Sequence, residues 1–222
     1  MPRVADHAER RLTIAAAFQK LVADEGLRRT SFVRVAAEAG VSVGLIQHYF
    51  ANRDELLLFA YEEGLRSIAA RVEARIQAGE SAGRPISAIL LSGLEELLPL
   101  DEQRSVEYRV QQSLRTEALS DDALAQVVRQ AAAALHARVA TAIGNGKECG
   151  EVEAAVDADR NAMMILATAD GLAAALALPE SPALPQVSAQ SEVSARADLR
   201  ADAVLRPVLD LVFTGRCRHF DR

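Results

Sequence analysis

Residues 31–50, SFVRVAAEAGVSVGLIQHYF, constrain the fold more tightly than any other stretch of the chain. Ala36 is followed four positions later by Gly40 and six after that by Ile46. A small residue lets two helices cross closely, and a glycine supplies the left-handed turn between them. A β-branched apolar residue on the second helix plugs the contact, which together makes a helix-turn-helix. Ser31 has the chemistry to cap a helix reaching Ala39, and Ser42 to cap a shorter one running through Tyr49. Val41 and Phe50 add packing around the turn.

The flanking sequence reads as further helix. Leu12, Ala15, Phe18, Leu21 and Val22 predict an apolar stripe on a first helix from about Asp6 to Glu25, stopped by Gly26. A fourth helix starts near Asn52, where Asp54 and Glu55 suit its positive end, and continues to about Ala78. Ile86, Ile89, Leu90, Gly93, Leu94, Leu97 and Leu98 keep the spacing of one buried face, ended by Pro99. Helices follow over 101–118, over a long stretch from Leu124 closed by Gly144 and Gly146, over 157–178 and over 194–214. Pro179 to Val193, rich in Pro, Ser, Gln and Ala, reads as a mobile connection. Pro207 is expected to kink the last helix. The 43 alanines and the absence of Trp agree with an all-α fold, because alanine leads the helix-propensity ranking.

Charge and cysteine usage narrow the class. The net charge is −6, but residues 1–53 carry +3 and the remainder −9. A basic end on an acidic body focuses polyanion binding at that end. Cys149 and Cys217 form no spacing pattern, which argues against a zinc module or disulfide scaffold and suits a reducing cytosol. The most apolar run, Ala162 to Leu178, is 17 residues long and contains Asp170, so it reads as a buried helix and not a membrane span. No nucleophile elbow, zinc-protease motif or phosphate loop is present, and no catalytic residue, metal ligand or cofactor is assigned. An enzyme is not expected.

From Glu9 to Leu57 the chain resembles the DNA-binding domain of the tetracycline-repressor (TetR) family. The likeness rests on Gly26, Thr30-Ser31, Val35-Ala36, Ala39-Gly40-Val41-Ser42, Gly44, His48-Tyr49-Phe50 and Arg53-Asp54-Glu55-Leu56. Where the family commonly has Thr-Leu-Tyr, this chain has Leu45-Ile46-Gln47. The resemblance implies a helix-turn-helix domain over 1–52, then a larger helical effector-binding and dimerisation domain over 53–222. It also implies a cytoplasmic regulator that binds a palindromic DNA operator as a homodimer and is released by an unknown small molecule.

In such a domain the second helix of the motif enters the major groove by its N-terminal turn. Val43, Gly44, Gln47 and His48 lie on its outward side. Gln47 suits bidentate pairing with adenine, and Val43 contact with a thymine methyl. His48 and Tyr49 have donors for phosphates, as do Thr30 and Ser31 at a helix N-terminus. Arg53 resembles the family's basic phosphate contact. Arg34 is a further candidate, with a plain surface charge as the alternative. For the effector, the candidates are Tyr61, Tyr108, Arg109, Gln112, His136 and Asp170, polar groups on otherwise apolar faces. Pairing of Arg109 and Asp170 with each other or with Arg138 and Glu107, and a core role for His136, is the competing explanation. The competing function is a helical scaffold protein whose helix-turn-helix is purely structural.

Overall fold

The structure, a computed structural model, describes residues 2–178 and 193–217, with side chains over 7–178 and 201–217. Nine α-helices make up the described residues, which contain no strand: α1 Pro2–Glu25, α2 Phe32–Ala39, α3 Val43–Tyr49, α4 Arg53–Ser81, α5 Ile86–Glu95, α6 Glu102–Glu117, α7 Asp122–Cys149, α8 Ala158–Ala177 and α9 Val193–Asp210. A short 3-10 turn at Leu27–Arg29 joins α1 to α2. The expected mobile connection lies, apart from Val193, outside the described residues.

The helices form two compact units. The first comprises Met1–Ser67 and Ser105–Val128. Its core holds Ile14, Phe18, Val35, Ile46, Phe50, Leu56, Leu57, Val110 and Leu114, all essentially sealed from solvent. Leu12 does not join the expected α1 stripe: it is 46% exposed, and Ile14 with Ala17 takes the inward positions. Polar ties secure α1 within this unit. Gln19 Nε2 donates to the Ala60 carbonyl of α4 at 2.7 Å. Arg109 of α6 donates to the Ala23 carbonyl at 2.6 Å, meeting one of the unpaired acceptors in the last turn of α1.

The second unit comprises Ile68–Arg104 and Arg129–Arg222. Leu91, Leu94, Leu98, Ile143, Ile165, Leu205, Leu209 and Val212 are buried in it. Glu96, 4% exposed, accepts from Arg71 at 2.9 Å and Arg75 at 2.8 Å, with Arg104 at 3.9 Å. Burial alone would raise its pKa, but those hydrogen bonds and the Arg104 charge hold it below the ordinary carboxylate value.

Gly144 and Gly146 do not close α7, which runs on to Cys149 and turns at Gly150, φ 96°. Gly146 serves close approach instead: a Cβ there would lie 2.7 Å from Val152 Cγ2 and 3.0 Å from the Phe213 ring. α5 stops at Glu95, three residues before the expected end. Pro207 falls in the final turn of α9, where the helix is already ending.

Candidate nucleic-acid interface

The helix-turn-helix is built as the spacing requires. The Arg34 N–H donates to Ser31 Oγ at 3.4 Å, capping α2. Gly40 takes the left-handed conformation at φ 66°, and the Val41 N–H returns to the Ala36 carbonyl at 2.9 Å. The Leu45 N–H donates to Ser42 Oγ at 3.1 Å, capping α3. Ile46 and Phe50 are completely buried. With those two pointing inward, the 100° step of the helix leaves Gly44, Gln47 and His48 exposed and Val43 and Tyr49 half-buried.

The start of α4 is fixed by a reciprocal cap. Asn52 Oδ1 accepts from the Glu55 N–H at 2.8 Å, while the Glu55 carboxylate accepts from the Ala51 N–H at 2.7 Å. Arg53 donates to the Leu27 carbonyl at 3.4 Å, a long bond that holds a half-buried guanidinium beside the 3-10 turn.

One candidate is placed otherwise than the sequence implies. Thr30 is 3% exposed, and its hydroxyl donates to the Gly26 carbonyl at 3.1 Å, so it closes the loop before α2 and presents no hydroxyl outward. Arg34, a candidate the sequence left open, makes a two-pronged ion pair with Glu25. Ser31 remains exposed at the cap.

Several residues near this surface escaped the sequence reading. His7 packs edge-on against Tyr49, ring centroids 4.5 Å apart, and His48 lies 5.2 Å from the same ring. Arg11 stacks on Phe59 at 4.3 Å and Phe50 at 5.0 Å, pinning α1 over the junction of α3 and α4. Arg28 and Arg29 are exposed immediately before the α2 cap. The Arg-Arg pair ahead of a capping serine was a readable signal; the His7 contact, bridging distant positions, was not.

The effector candidates divide between the units. Tyr61 of α4 and Tyr108 of α6 are buried in the first, with half-buried Gln112 on α6 and Arg109 bound to Ala23. Burial pushes the Tyr61 hydroxyl pKa up, partly offset by the Arg115 charge. The position of a Cβ on Gly64 would be 4.0 Å from Glu107 Cγ, so α4 runs close to a carboxylate buried to 6% exposure, which sequence reasoning missed. His136 and Asp170 belong to the second unit. His136 Nε2 lies 2.9 Å from the Asp159 carbonyl, joining α7 to the start of α8. Asp170 is exposed on α8, so it does not interrupt a buried face.

The sequence from within α1 to the first turns of α4 matches a family model described as bacterial regulatory proteins, tetR family, over residues 14–59. A second model, described as BetI-type transcriptional repressor, C-terminal, matches residues 88–204, more than half of the chain. The chain belongs to the TetR family. Its members are DNA-binding transcriptional regulators and not enzymes, so the scaffold alternative gives way.

Among TetR-family relatives, the regulator PksA of Bacillus subtilis is 37% identical over 73 residues, covering 33% of this chain and 36% of that protein. The chain spans half or less of the curated relatives it matches. A transcriptional regulator of Rhodococcus sp. Rha1 has a solved structure that superposes with a TM-score of 0.67 at 27% identity, over 89% of this chain and 96% of that one. A regulator from Saccharomonospora viridis, solved in complex with choline, superposes with a TM-score of 0.72 over 90% and 96% of the two chains. At 19% identity that is a likeness of fold. No described helix is long and apolar enough to cross a membrane.

Proposed function

We propose that the chain is a cytoplasmic regulator that binds a palindromic operator as a homodimer and is released from it by a small molecule. In this reading residues 1–52, joined by Arg53 at the start of α4, carry the DNA contacts, and the rest of 53–222 carries the effector and dimer functions. The observation that carries it is the outward set on α3. Gln47, His48 and Gly44 are exposed on a helix whose opposite side is locked by fully buried Ile46 and Phe50. Gln47 reads a base edge, Gly44 admits the backbone close to the groove, and Val43 meets a thymine methyl. Ser31, His48, Tyr49 and Arg53 hold phosphates, joined by Arg28 and Arg29.

Support for the homodimer comes from α8, which carries apolar residues on two sides, with exposed Asp170 at the edge of the second. Ala162, Ile165, Ala169, Leu172 and Ala173 are buried. Met163, 63% exposed, begins a second stripe with Met164, Ala167, Ala174 and Leu178 at helical spacing. Leaving that stripe in water costs about 25 cal/mol for each Å² of apolar surface. A second copy related by a two-fold axis covers it symmetrically.

The effector is assigned to the first unit, beside Tyr61, Tyr108 and Glu107. Aromatic faces with a buried carboxylate suit a small organic cation of the kind found in the choline complex of the Saccharomonospora regulator. Arg109 gives such a ligand a route to α1, since movement of α6 disturbs the bond to the Ala23 carbonyl. To take operator occupancy from nearly full to nearly empty, the ligand must prefer the released state by about 5.5 kcal/mol. The test is thermal-shift screening of small organic cations, then release of a labelled promoter fragment. A stabilising cation whose binding ignores Glu107→Gln and Tyr108→Ala would remove this assignment.

A further inference from the structure

Cys149 and Cys217 show no pattern in sequence, yet the fold brings them to one place. α7 ends at Cys149, and Gly150 reverses the chain into Glu151, which is 2% exposed. The Glu151 carboxylate accepts the Ile86 N–H at 2.8 Å and the Ser87 N–H at 3.1 Å, at the start of α5, where Pro85 offers no side-chain cap. After α9, Val212 and Phe213 bury the returning chain, and the Gly215 N–H donates to the Glu151 carbonyl at 2.9 Å. A Cβ on Gly215 would lie 2.2 Å from the Gly150 carbonyl oxygen, so this crossing admits only glycine. Two residues later Cys217, half-buried, reaches the end of α7. The Cys149 thiol, a Glu151 carboxylate oxygen and the Cys217 thiol all lie within 4.8 Å of one another, with Cys149 Sγ 3.5 Å from Glu151 Oε1.

We propose that Cys149, Glu151 and Cys217 form a binding site for a thiophilic divalent cation, with Zn2+ the best fit. Tetrahedral zinc, with bonds of about 2.3 Å to sulfur and 2.0–2.2 Å to oxygen, sets its sulfur and oxygen ligands about 3.5 Å apart. That is the distance found between Cys149 and Glu151. Paired thiolates select soft or borderline metals over magnesium and calcium. Each carboxylate oxygen has two lone pairs, so the two backbone N–H bonds orient Glu151 and still leave it able to ligate. Three protein ligands leave a fourth position for water. Metal binding by the two thiols displaces their protons, so affinity is expected to rise with pH. A bound cation would clamp the end of α7, the start of α5 and the segment after α9.

The experiment titrates the reduced, full-length chain with Cd2+ and follows thiolate-to-metal charge-transfer absorption. One equivalent per chain is expected, displaced by Zn2+, with a higher melting temperature in either metal. Cys149→Ser and Cys217→Ser should each abolish the band and weaken Zn2+ affinity at least about tenfold. Cys217 is the half-buried partner, and circular dichroism on its variant establishes that the fold is kept. Absence of a stoichiometric band while both thiols titrate would overturn the assignment. So would unchanged Cd2+ affinity in either serine variant, or a Cys149–Cys217 disulfide in a chain that binds no metal when reduced. Operator binding by the metal-free chain is a separate readout.

Discussion

At the scale of single residues, the proposed reading gives Gln47 and Arg53 two different kinds of DNA contact. Gln47 is exposed on α3 and free to read a base edge. Gln47→Ala is expected to weaken operator binding by about 1–3 kcal/mol and to relax preference at one base pair, read by competition with a panel of operator variants. Arg53→Ala should weaken binding to every sequence alike and lower the salt slope by about one unit. Its bond to Leu27 is 3.4 Å long, so a modest loss of stability should accompany it. Glu96 supplies a test of stability. Its pKa is held below the ordinary value, so its contribution is present above the unfolded pKa and lost as pH falls through the folded one. Glu96→Gln should cost about 1–3 kcal/mol at neutral pH, and much less once the pH is below the folded pKa, measured by denaturant melts. The exposed residues on α3 were legible because the pattern of Ala36, Gly40 and Ile46 fixes which side of the helix is inward. Thr30 was misplaced because a hydroxyl before a helix serves either the loop or a phosphate, and only the Gly26 carbonyl decides between them.

At the scale of elements, the helices were legible and several of their ends were not. Periodicity identifies a helix from many residues at once, but one glycine can stop it or permit close packing. Gly26 stops α1, whereas Gly146 lies inside α7 against Val152 and Phe213. Gly146→Ala should therefore destabilise the fold by about 1–3 kcal/mol through overpacking, despite alanine's better helix propensity. An unchanged or raised melting temperature would mean that Val152 and Phe213 yield freely. α8 makes the corresponding prediction for assembly. Ala174→Glu and Met163→Glu place charges on its exposed stripe and not in its core. Both variants are expected to stay folded, sediment as monomers and lose specific operator binding together. An intact dimer in both would place the interface elsewhere.

At the scale of the whole molecule, the division between a basic end and an acidic body was visible in the charge distribution, while the composition of the compact units was not. The first unit recruits Ser105–Val128 from the middle of the chain, and no linear pattern announces that return. The effector candidates scattered for the same reason. Tyr61 and Tyr108 share a unit, while His136 is engaged at the start of α8 in the other. The central claim, that this chain recognises a specific operator through α3, is tested most directly by its affinity for its own promoter fragment and for scrambled DNA across a salt series. The account predicts at least about a thousandfold preference for the promoter, a steep fall of log affinity with log salt for both DNAs, and loss of the preference in Gln47→Ala. Equal affinity for promoter and scrambled DNA at every salt concentration would contradict it.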